Sequence, residues 1–379
     1  MNLLINTSNL NKGGALQVAH SFLSEIKNNK EHIFHVVLSN TLSKQIDEKS
    51  FPQNFKFYHY TLKPNLIKAV SGKDSFLSNL EKKLVPDCVF TVFGPSYWNP
   101  VTKNVVGFAD GWCYNPESAA FDGYTLLFRL KRYLMIRLKV NRIKKESDLL
   151  IVETNDAKNR ISSLLRIPSS GIKVISNTFH AVYNLNRHEQ FDIKSKLKDE
   201  FKLITISANY PHKNLKIIRQ VIPYLKDKGL KVRFYLTIDD KSYQKMFMGF
   251  ENYVTNLGHI DIKFGPSVYK QCDALFLPTL LETFTASYPE AMKMGKPILT
   301  SDLSFARDIC GDAAEYFDPL NPKDIADKIE KIMSDHELRN YLIEQGKKRL
   351  EIFETSKSRA EKYLAICNQI VKENESISK

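Results

Sequence analysis

The sequence has no apolar run long enough to cross a bilayer, and it contains few cysteines. A membrane-spanning helix needs about 18 or more successive apolar residues, so no transmembrane segment is predicted. The first residues include neither a basic region followed by a long apolar run nor a small-residue cleavage site, so no secretory signal is predicted. The cysteines are widely spaced and form no C-x-x-C pair and no metal-ligand pattern with histidine: Cys88, Cys113, Cys272, Cys310 and Cys367. This usage predicts free thiols in a reducing cytoplasm.

Acidic residues are also scarce relative to basic ones. The 379 residues include 55 Lys and Arg against 42 Asp and Glu, which gives a formal net charge of +13 at pH 7. Such a surplus favours an anionic partner, whether nucleic acid, acidic lipid or a phosphorylated substrate, and composition does not choose among them. The hydrophobic content of 43% and the charged content of 26% are ordinary for a folded protein.

Short β-rich runs alternate with segments of helical period along the whole chain, which is the pattern of parallel sheets covered by helices. The chain is longer than one hydrophobic core usually supports, so two α/β domains are predicted. The strands predicted in the first half are Leu3–Thr7, Ile33–Leu38, Phe55–Tyr60, Cys88–Phe93, Val105–Phe108 and Leu149–Glu153. Those predicted in the second half are Leu203–Ala208, Val232–Thr237, Thr255–His259, Ala274–Pro278 and Ile298–Ser301.

A polar, aperiodic segment near residues 177–201 separates the two series and is predicted to be a linker. We therefore expect a Rossmann-like domain over residues 1–178 and a second one over residues 179–352. The last helical segment is longer than a crossover helix requires and is predicted to break near residues 353–356. The final helix, within residues 353–379, is predicted to return to the first domain.

The stretch over residues 272–302 carries the most informative chemistry. An apolar strand ends at Pro278, a loop carries Glu282, and a helix begins near Ser287 with Glu290 close to its start. Carboxylates eight residues apart differ by about 80° around a helix, so they would contact different ends of an elongated ligand. Each can accept two hydroxyl hydrogen bonds, as a sugar or ribose diol requires. The alternative is a pair of solvated glutamates that flank a helix start.

Glu282 and Glu290 match the E-x7-E motif of glycosyltransferase family 4, and the sequence resembles these retaining enzymes of the GT-B architecture. The resemblance implies two Rossmann-like domains whose parallel sheets face each other across a cleft. It implies that Glu282 approaches donor-sugar hydroxyls, that Glu290 holds the nucleotide ribose, and that backbone amides between them contact the donor phosphates. The further residues assigned to the donor site here are Phe284, Thr285, Ala286 and Gly258.

A second strand-turn-helix element, residues 204–215, looks like the G-R-L-x-x-x-K segment of the same family. Lys213 matches the lysine of that segment and would offer a mobile ammonium group to the donor diphosphate. Ala208 stands where the family has arginine, which removes one cation from the expected site. The residues that would assist Lys213 are Asn209, His212 and Asn214. An ordinary exposed lysine is the alternative for Lys213.

Two loops of the first half carry weaker signals. Gly13 and Gly14 follow the first strand and leave space for a ligand or another backbone, and the resemblance places this loop near the donor phosphates and the acceptor; a plain tight turn is the alternative. Asp110, where many relatives have a histidine nearby, is a catalytic candidate that would orient a sugar or acceptor hydroxyl, or else cap the next turn. Tyr97 and Trp98 are either sugar-stacking surfaces or core aromatics.

Residues 126–145 combine eight Lys and Arg with eleven apolar or aromatic residues. Leucines at 126, 127, 130, 134 and 138 fall on one helical arc, and Phe128, Met135 and Ile136 are expected to protrude. Such a helix suits the surface of an anionic membrane, and a crossover helix with a solvated basic side is the alternative. The residues predicted to contact the membrane are Arg129, Lys131, Arg132, Arg137 and Lys139.

Together these features predict a metal-independent glycosyltransferase without a cofactor, which moves a sugar from a nucleoside diphosphate sugar to a hydroxyl acceptor. By resemblance, the expected setting is bacterial surface-polysaccharide assembly (O-antigen or capsule), with a saccharide or lipid-linked oligosaccharide as acceptor and the inner face of the membrane as location. A sugar phosphorylase or sugar-phosphate synthase on the same fold is the alternative enzyme. A nucleic-acid-binding protein is the alternative of another class, although no recognised binding motif for it appears.

Overall fold

The computed structural model describes residues 1–11, 13–62, 66–122, 124–194 and 199–377. The chain divides into two compact units. The first consists of Met1–Pro116, Tyr124–Asn177 and Glu354–Lys379, and the second of Glu117–Gly123 and Thr178–Phe353. Part of the segment predicted as a linker, residues 195–198, lies outside the described residues.

The elements are numbered here along the chain. In the first unit they are β1 (Asn2–Thr7), α1 (Gly14–Ile26), β2 (Ile33–Ser39), β3 (Phe55–Tyr60), α2 (Leu66–Ser71), α3 (Ser75–Leu84), β4 (Cys88–Thr91), β5 (Asn104–Gly107), α4 (Gly111–Tyr114), α5 (Leu126–Glu146), β6 (Leu149–Val152), α6 (Asn155–Leu165) and β7 (Ile172–Val174). In the second unit they are β8 (Phe201–Thr205), α7 (Ile218–Asp227), β9 (Val232–Leu236), α8 (Asp240–Phe247), β10 (Val254–Asn256), α9 (Gly265–Lys270), β11 (Ala274–Leu277), α10 (Ser287–Lys293), β12 (Ile298–Ser301), α11 (Ser304–Cys310), β13 (Ala314–Phe317), α12 (Pro322–Ser334) and α13 (His336–Leu350). The last helix, α14 (Ser356–Ile377), belongs to the first unit.

Each unit contains a parallel sheet. Over the described ranges, the first sheet has seven strands in the order β3-β2-β1-β4-β5-β6-β7, and the second has six in the order β10-β9-β8-β11-β12-β13. This confirms the predicted α/β class with a parallel sheet in each of two Rossmann-like units, because both orders follow the 3-2-1-4-5-6 pattern of that fold.

The strands read as continuous apolar runs because helices cover both faces of a parallel sheet. Every residue of β5, β11 and β12 is buried. Eleven strands lie where the sequence predicts them, within a few residues at their ends. Two strands were not predicted because their apolar runs are short. Strand β7 has three residues, and β13 includes Glu315 among its four.

Helix α14 packs on the first unit. Phe22 of α1 lies edge-on to Phe90 of β4 and to Tyr363 of α14, with ring centroids 5.2 and 5.6 Å apart. The buried Arg359 of α14 donates to the hydroxyl of Ser21 at 3.0 Å and to the side-chain oxygen of Asn177. The chain between α13 and α14 breaks at residues 351–355, where the sequence predicts the interruption.

The strand order reverses between β1 and β4 in the first sheet and between β8 and β11 in the second. At such a switch point the connections leave to opposite faces, so a crevice opens at the carboxyl ends of the two strands. The loop that carries Lys213 follows β8, and the loop that carries Glu282 follows β11. The fold therefore directs both predicted donor residues to the switch point of the second sheet.

Gly107, at the end of β5, gives the sharpest packing test of this fold. A Cβ atom at this position would clash with the backbone carbonyl oxygen of Val92, which cannot move without displacing the adjoining strand. We expect Gly107→Ala to lower the free energy of unfolding by about 2–3 kcal/mol through overpacking. Urea unfolding, compared at equal m-value, measures the change.

Gly171→Ala is the matched control, because nothing lies within 4 Å of a Cβ at Gly171. We expect that substitution to leave the unfolding midpoint nearly unchanged. Equal midpoints for the two variants would contradict the packing described for β5.

Candidate functional site

The loops after β8 and β11 are joined by backbone and side-chain hydrogen bonds. The N–H group of Leu280 donates to the carbonyl oxygen of His212 at 2.7 Å. The side chain of Ser118 donates to the carbonyl oxygen of Leu280 at 2.9 Å, so the short segment Glu117–Gly123 is tied to the same loop. These bonds fix the position of both loops at the carboxyl edge of the second sheet.

Lys213 and Glu282 form an ion pair at this edge. The Nζ atom of Lys213 lies 2.5 Å from Oε1 of Glu282, and both side chains are 10% exposed. The hydroxyl of Thr279 also donates to Oε1 at 2.9 Å. Lys213 is therefore not the ordinary exposed lysine of the alternative interpretation, although its role in donor binding stays a prediction. The pair presents one cation and one anion side by side, as a ligand with a phosphate next to a hydroxylated ring would require.

Glu290 lies in a different environment from Glu282. It is buried in α10 and 7% exposed. The hydroxyl of Tyr269 donates to its carboxylate at 3.5 Å from Oε2, and the hydroxyl of Tyr183 is a further titratable neighbour. Burial raises the pKa of Glu290 from 4.5 to about 7, and the two tyrosine hydroxyls only partly offset that effect. A ligand hydroxyl that donates to this carboxylate would favour its ionised form.

The other predicted donor residues lie on the loops around this edge. Thr285 is buried, whereas Phe284 and Ala286 are half-buried just before α10. Asn214 adopts a left-handed conformation with φ 53° and donates to the carbonyl oxygen of Pro319 at 2.9 Å. The further members of the set are Asn209 and His212, in the loop after β8, and Gly258, after β10 with φ 69°. Their part in donor binding stays a prediction.

Ala208 stands at the position where the resembling family has arginine. Ala208 is exposed, and two residues later the ring of Tyr210 stacks on His212 with centroids 5.6 Å apart and planes 6° apart. An aromatic pair therefore stands beside Lys213 in the loop that lacks the second cation.

In the first unit, Asp110 caps a helix and forms an ion pair. Its side chain accepts from the N–H group of Trp112 at the start of α4 and lies 2.5 Å from Nζ of Lys139. Burial acts to lower the pKa of Lys139, but the Asp110 carboxylate outweighs it and the pKa is raised. The capping alternative is thus met in the structure, and a catalytic role for Asp110 stays a prediction.

The structure also bears on the alternatives given for the glycines and aromatics of the first unit. Gly13 precedes α1 and has φ 74°, a left-handed conformation that favours glycine. A Cβ on Gly13 or Gly14 would meet nothing within 4 Å. The conformation of the turn, and not lack of space, therefore accounts for glycine at position 13. Trp98 is fully buried, and its indole N–H donates to Ser78 at 3.1 Å, so it is a core aromatic and not a sugar-stacking surface. Tyr97 is half-buried and has φ 59°.

Helix α5 exposes a surface of apolar and basic residues in its N-terminal half. The exposed leucines are Leu126 (84%), Leu127 (77%), Leu130 (55%) and Leu134 (59%). The exposed cations among those predicted to contact a membrane are Arg129, Lys131 and Arg137. We call these seven residues the α5 surface.

Expectations for three residues of α5 are wrong or incomplete. Ile136, expected to protrude, is buried at 8% exposure because it faces the first unit with Arg142, Ile143 and Glu146. Lys139 is held by Asp110 and so is not a free surface cation. Arg132 is half-buried, with its guanidinium 4.3 Å from the ring centroid of Trp112.

Tyr183 and Ser118 are site neighbours that sequence reasoning missed. Both lie in stretches without helical or strand period, so no pattern predicts where their side chains go. Within the described part of the chain, no group of three or more His, Cys, Asp or Glu side chains is arranged to hold a metal ion. The same described residues include no helix that is long and apolar enough to span a membrane.

Residues 186–349 match the family profile "Glycosyl transferases group 1". The matched residues lie within the second unit, and the match supports a transferase. The chain is 24% identical over 220 residues to the uncharacterized glycosyltransferase MJ1607 of Methanocaldococcus jannaschii, a match over 54% of this chain and about half (55%) of that relative. It is 22% identical over 364 residues to the capsular polysaccharide biosynthesis glycosyltransferase CapM of Staphylococcus aureus, covering 93% of this chain and 89% of CapM.

The fold is also that of a solved structure, Anabaena Alr3699/HepE in complex with UDP and glucose. The TM-score is 0.64 at 16% identity, and the likeness covers 99% of both chains. At this identity the likeness establishes the two-domain architecture alone.

The buried Glu290 predicts a pH-dependent stability. A carboxyl whose pKa is raised from 4.5 to about 7 stabilises the fold below pH 4.5, and this contribution is lost as the pH rises through 7. Glu290→Gln removes the titrating group and so should become more stable than the wild type above pH 7, by up to about 3 kcal/mol, with little difference at pH 5. Urea unfolding of both proteins between pH 5 and 9 measures this; a constant difference across that range would contradict the assignment.

Proposed function

We propose that the protein is a retaining glycosyltransferase that moves a sugar from a nucleoside diphosphate sugar to a hydroxyl group of a lipid-linked saccharide. The observation that carries the proposal is the Lys213–Glu282 pair at the switch point of a group 1 glycosyltransferase domain. The HepE structure with UDP and glucose supports a nucleotide sugar as donor.

In this proposal the donor replaces the contact between Lys213 and Glu282. The Lys213 ammonium binds the diphosphate, and the released Glu282 carboxylate accepts from the sugar hydroxyls. Glu290 accepts from the ribose diol. Because the two charges are already paired in the free protein, neither is left buried and unpaired before the donor arrives.

Transfer would proceed on one face of the sugar. The acceptor oxygen forms a bond to the anomeric carbon as the bond from that carbon to the diphosphate oxygen breaks, and the acceptor proton passes to the departing phosphate oxygen. Lys213 neutralises the negative charge that grows on the diphosphate. No side chain is needed as a general base.

Substitution of the ion pair separates donor binding from transfer. Lys213→Ala should weaken UDP binding, and Lys213→Arg less so, because the ammonium contacts the diphosphate that UDP retains. Glu282→Gln should leave UDP binding intact but cost about 2–4 kcal/mol of transition-state stabilisation, since UDP lacks the transferred sugar whose hydroxyls Glu282 would hold. Calorimetry with UDP and a transfer assay give the two readouts. Because Gln keeps an acceptor for Lys213 but leaves its charge unpaired, thermal unfolding controls for the fold.

Transfer of sugar by the Glu282→Gln enzyme at the wild-type rate would contradict this assignment. A Glu282→Gln protein that loses UDP binding and transfer equally would place Glu282 at the diphosphate and not at the sugar.

Lys213 also predicts that transfer needs no divalent metal, because the ammonium supplies the positive charge that a metal would bring. We expect the rate to be unchanged after EDTA treatment. Activity that EDTA removes and a divalent ion restores would require a metal at the diphosphate and reject this part of the proposal.

The setting of the reaction is proposed from CapM, whose name assigns it to capsular polysaccharide biosynthesis. The lipid-linked acceptor proposed here would be held at a bilayer, and the α5 surface suits that location. Its leucines would enter the interface while Arg129, Lys131 and Arg137 meet anionic headgroups. Exposed leucines of this number serve no purpose in nucleic-acid binding, which favours lipid as the anionic partner.

Liposome binding tests the α5 surface. Vesicles with anionic lipid should pellet the protein at low salt, and replacing Arg129, Lys131 and Arg137 by Gln should release it, because each such cation contributes about 1 kcal/mol near an anionic surface. Replacing Leu126, Leu127 and Leu130 by Ser should also release it while UDP binding stays unchanged.

The matched control replaces three exposed lysines of the second unit, Lys216, Lys347 and Lys348, by Gln. This protein has the same net charge as the α5 cation variant and should still pellet. Equal release of both charge variants would show that net charge and not the α5 surface governs attachment, and wild-type protein that stays in the supernatant would favour a soluble acceptor.

A further inference from the structure

We propose that Arg132 and Lys139 of α5 form, together with Asp110, a binding site for a phosphate group that joins the lipid of the acceptor to its saccharide. That the ligand is an acceptor rests on the proposed function, whereas the arrangement of the three charged side chains does not. Arg132 and Lys139 are the two cations predicted to contact a membrane that the α5 surface does not include.

The two cations lie on one side of α5. They are seven residues apart, so their side chains leave the helix within about 20° of each other and about 10 Å apart along its axis. The segment that begins α4 meets both of them, since Asp110 contacts Lys139 and Trp112 contacts Arg132. The N–H group of Trp112 donates to Asp110 at 3.1 Å, which fixes the two contacts relative to each other.

Arg132 is held by a cation–π contact. Its guanidinium carbon lies over the ring of Trp112, 4.3 Å from the centroid. In the part of the chain that the structure describes, no acceptor reaches its buried Nε atom. Arg142 of the same helix differs, because it donates to Glu146 and Asn99. A contact with a ring places a guanidinium group without using acceptors for its N–H groups, so the half-buried Arg132 can donate to an anion.

Lys139 and Asp110 stay accessible although they are paired. Their side chains are 32% and 19% exposed. Asp110 uses one carboxylate oxygen for Lys139 and the other for the N–H group of Trp112, so some of its roughly four lone-pair sites remain for ligand hydroxyls. An ammonium group has three N–H donors, so Lys139 can bind an anion without leaving Asp110.

The charges and the position of this cluster favour a phosphate group as ligand. Two cations against one carboxylate leave a surplus of positive charge, and the several oxygens of a phosphate can accept from a guanidinium and an ammonium group at once. In sequence, Arg132 lies between Leu130 and Leu134 of the α5 surface, both exposed. An acceptor whose lipid lies at that surface would place its phosphate at Arg132 and Lys139.

Calorimetry with geranyl diphosphate, a short lipid diphosphate that dissolves in water, tests the site in the whole protein. Arg132→Gln and Lys139→Gln should each weaken binding about tenfold, because each removes a charged hydrogen-bond donor from the ligand. Lys145→Gln is the matched control, since Lys145 is an exposed cation of the same helix, and it should bind like the wild type. The losses should be the same in a Lys213→Ala background, which removes the proposed donor site.

Asp110→Asn distinguishes a binding role from a purely structural one by the sign of its effect. Asn keeps an acceptor for the N–H group of Trp112 and removes the negative charge beside Lys139. We therefore expect Asp110→Asn to bind geranyl diphosphate several times more tightly than the wild type. If the Asp110–Lys139 pair serves only to attach α4 to α5, Asp110→Asn should lower the temperature of thermal unfolding without any gain in affinity.

Anionic vesicles without acceptor separate the acceptor phosphate from the phosphates of bilayer headgroups. They should pellet the double variant Arg132→Gln, Lys139→Gln like the wild type, whereas the α5 cation variant should be released. Release of the double variant to the same extent would show that headgroups are the ligand, which overturns the acceptor site.

The remaining outcomes separate this site from the proposed function. Wild-type affinity for geranyl diphosphate in both Gln variants overturns the site, and so does an equal loss in Lys145→Gln, because net charge would then explain the effect. Neither of these results touches UDP binding or transfer. A loss confined to Arg132→Gln and Lys139→Gln, in a protein that binds no UDP and transfers no sugar, keeps the phosphate site and rejects the proposed function.

Discussion

Parallel pairing of β8 with β11 is the constraint on which the candidate site depends. These strands are separated by β9 and β10 in sequence but are neighbours in the sheet, so their carboxyl ends meet at one edge. Lys213 and Glu282 are 69 positions apart, yet their charged atoms lie 2.5 Å from each other. The same pairing places the loop after β11 beside the backbone of His212, which accepts from Leu280. Without the β8–β11 pair there is neither ion pair nor joined loops.

The two glutamates of the E-x7-E motif differ in how their charge is accommodated. Glu282, which is 10% exposed, has the Lys213 ammonium group as its partner. Glu290 accepts from the hydroxyl of Tyr269, and burial raises its pKa to about 7. In the proposed function, Glu282 would exchange its contact with Lys213 for one with a ligand, and Glu290 would gain charge when ligand hydroxyls bind. This difference suits one site for a sugar beside a diphosphate and another for a neutral diol.

Much of this could be predicted from the sequence, because apolar runs mark the strands and the Rossmann order then brings the ends of β8 and β11 together. The sequence predicts that Lys213 and Glu282 bind one ligand, which stays a prediction, but their direct contact could not be predicted, since periodicity carries no distances. The orientation of α5 was not predictable either. Basic and apolar residues surround that helix, and its packed face includes the buried pair Arg142 and Glu146, which no amphipathic pattern indicates. Tyr183 stands alone in a polar segment and offers no period.

The buried pair in α5 explains why the helix exposes its leucines. The guanidinium of Arg142 lies 3.0 Å from Glu146, and Glu146 accepts from the backbone N–H group of Ser96 at 2.8 Å. A buried pair that breaks leaves a charge without a partner, which costs about 3–5 kcal/mol. Rotation of α5 to bury Leu126 and Leu130 would break these contacts and expose Ile143 to water. The polar contacts at the C-terminal end of α5 therefore hold its N-terminal leucines outward, and an apolar surface fixed in this way stays exposed in the free protein.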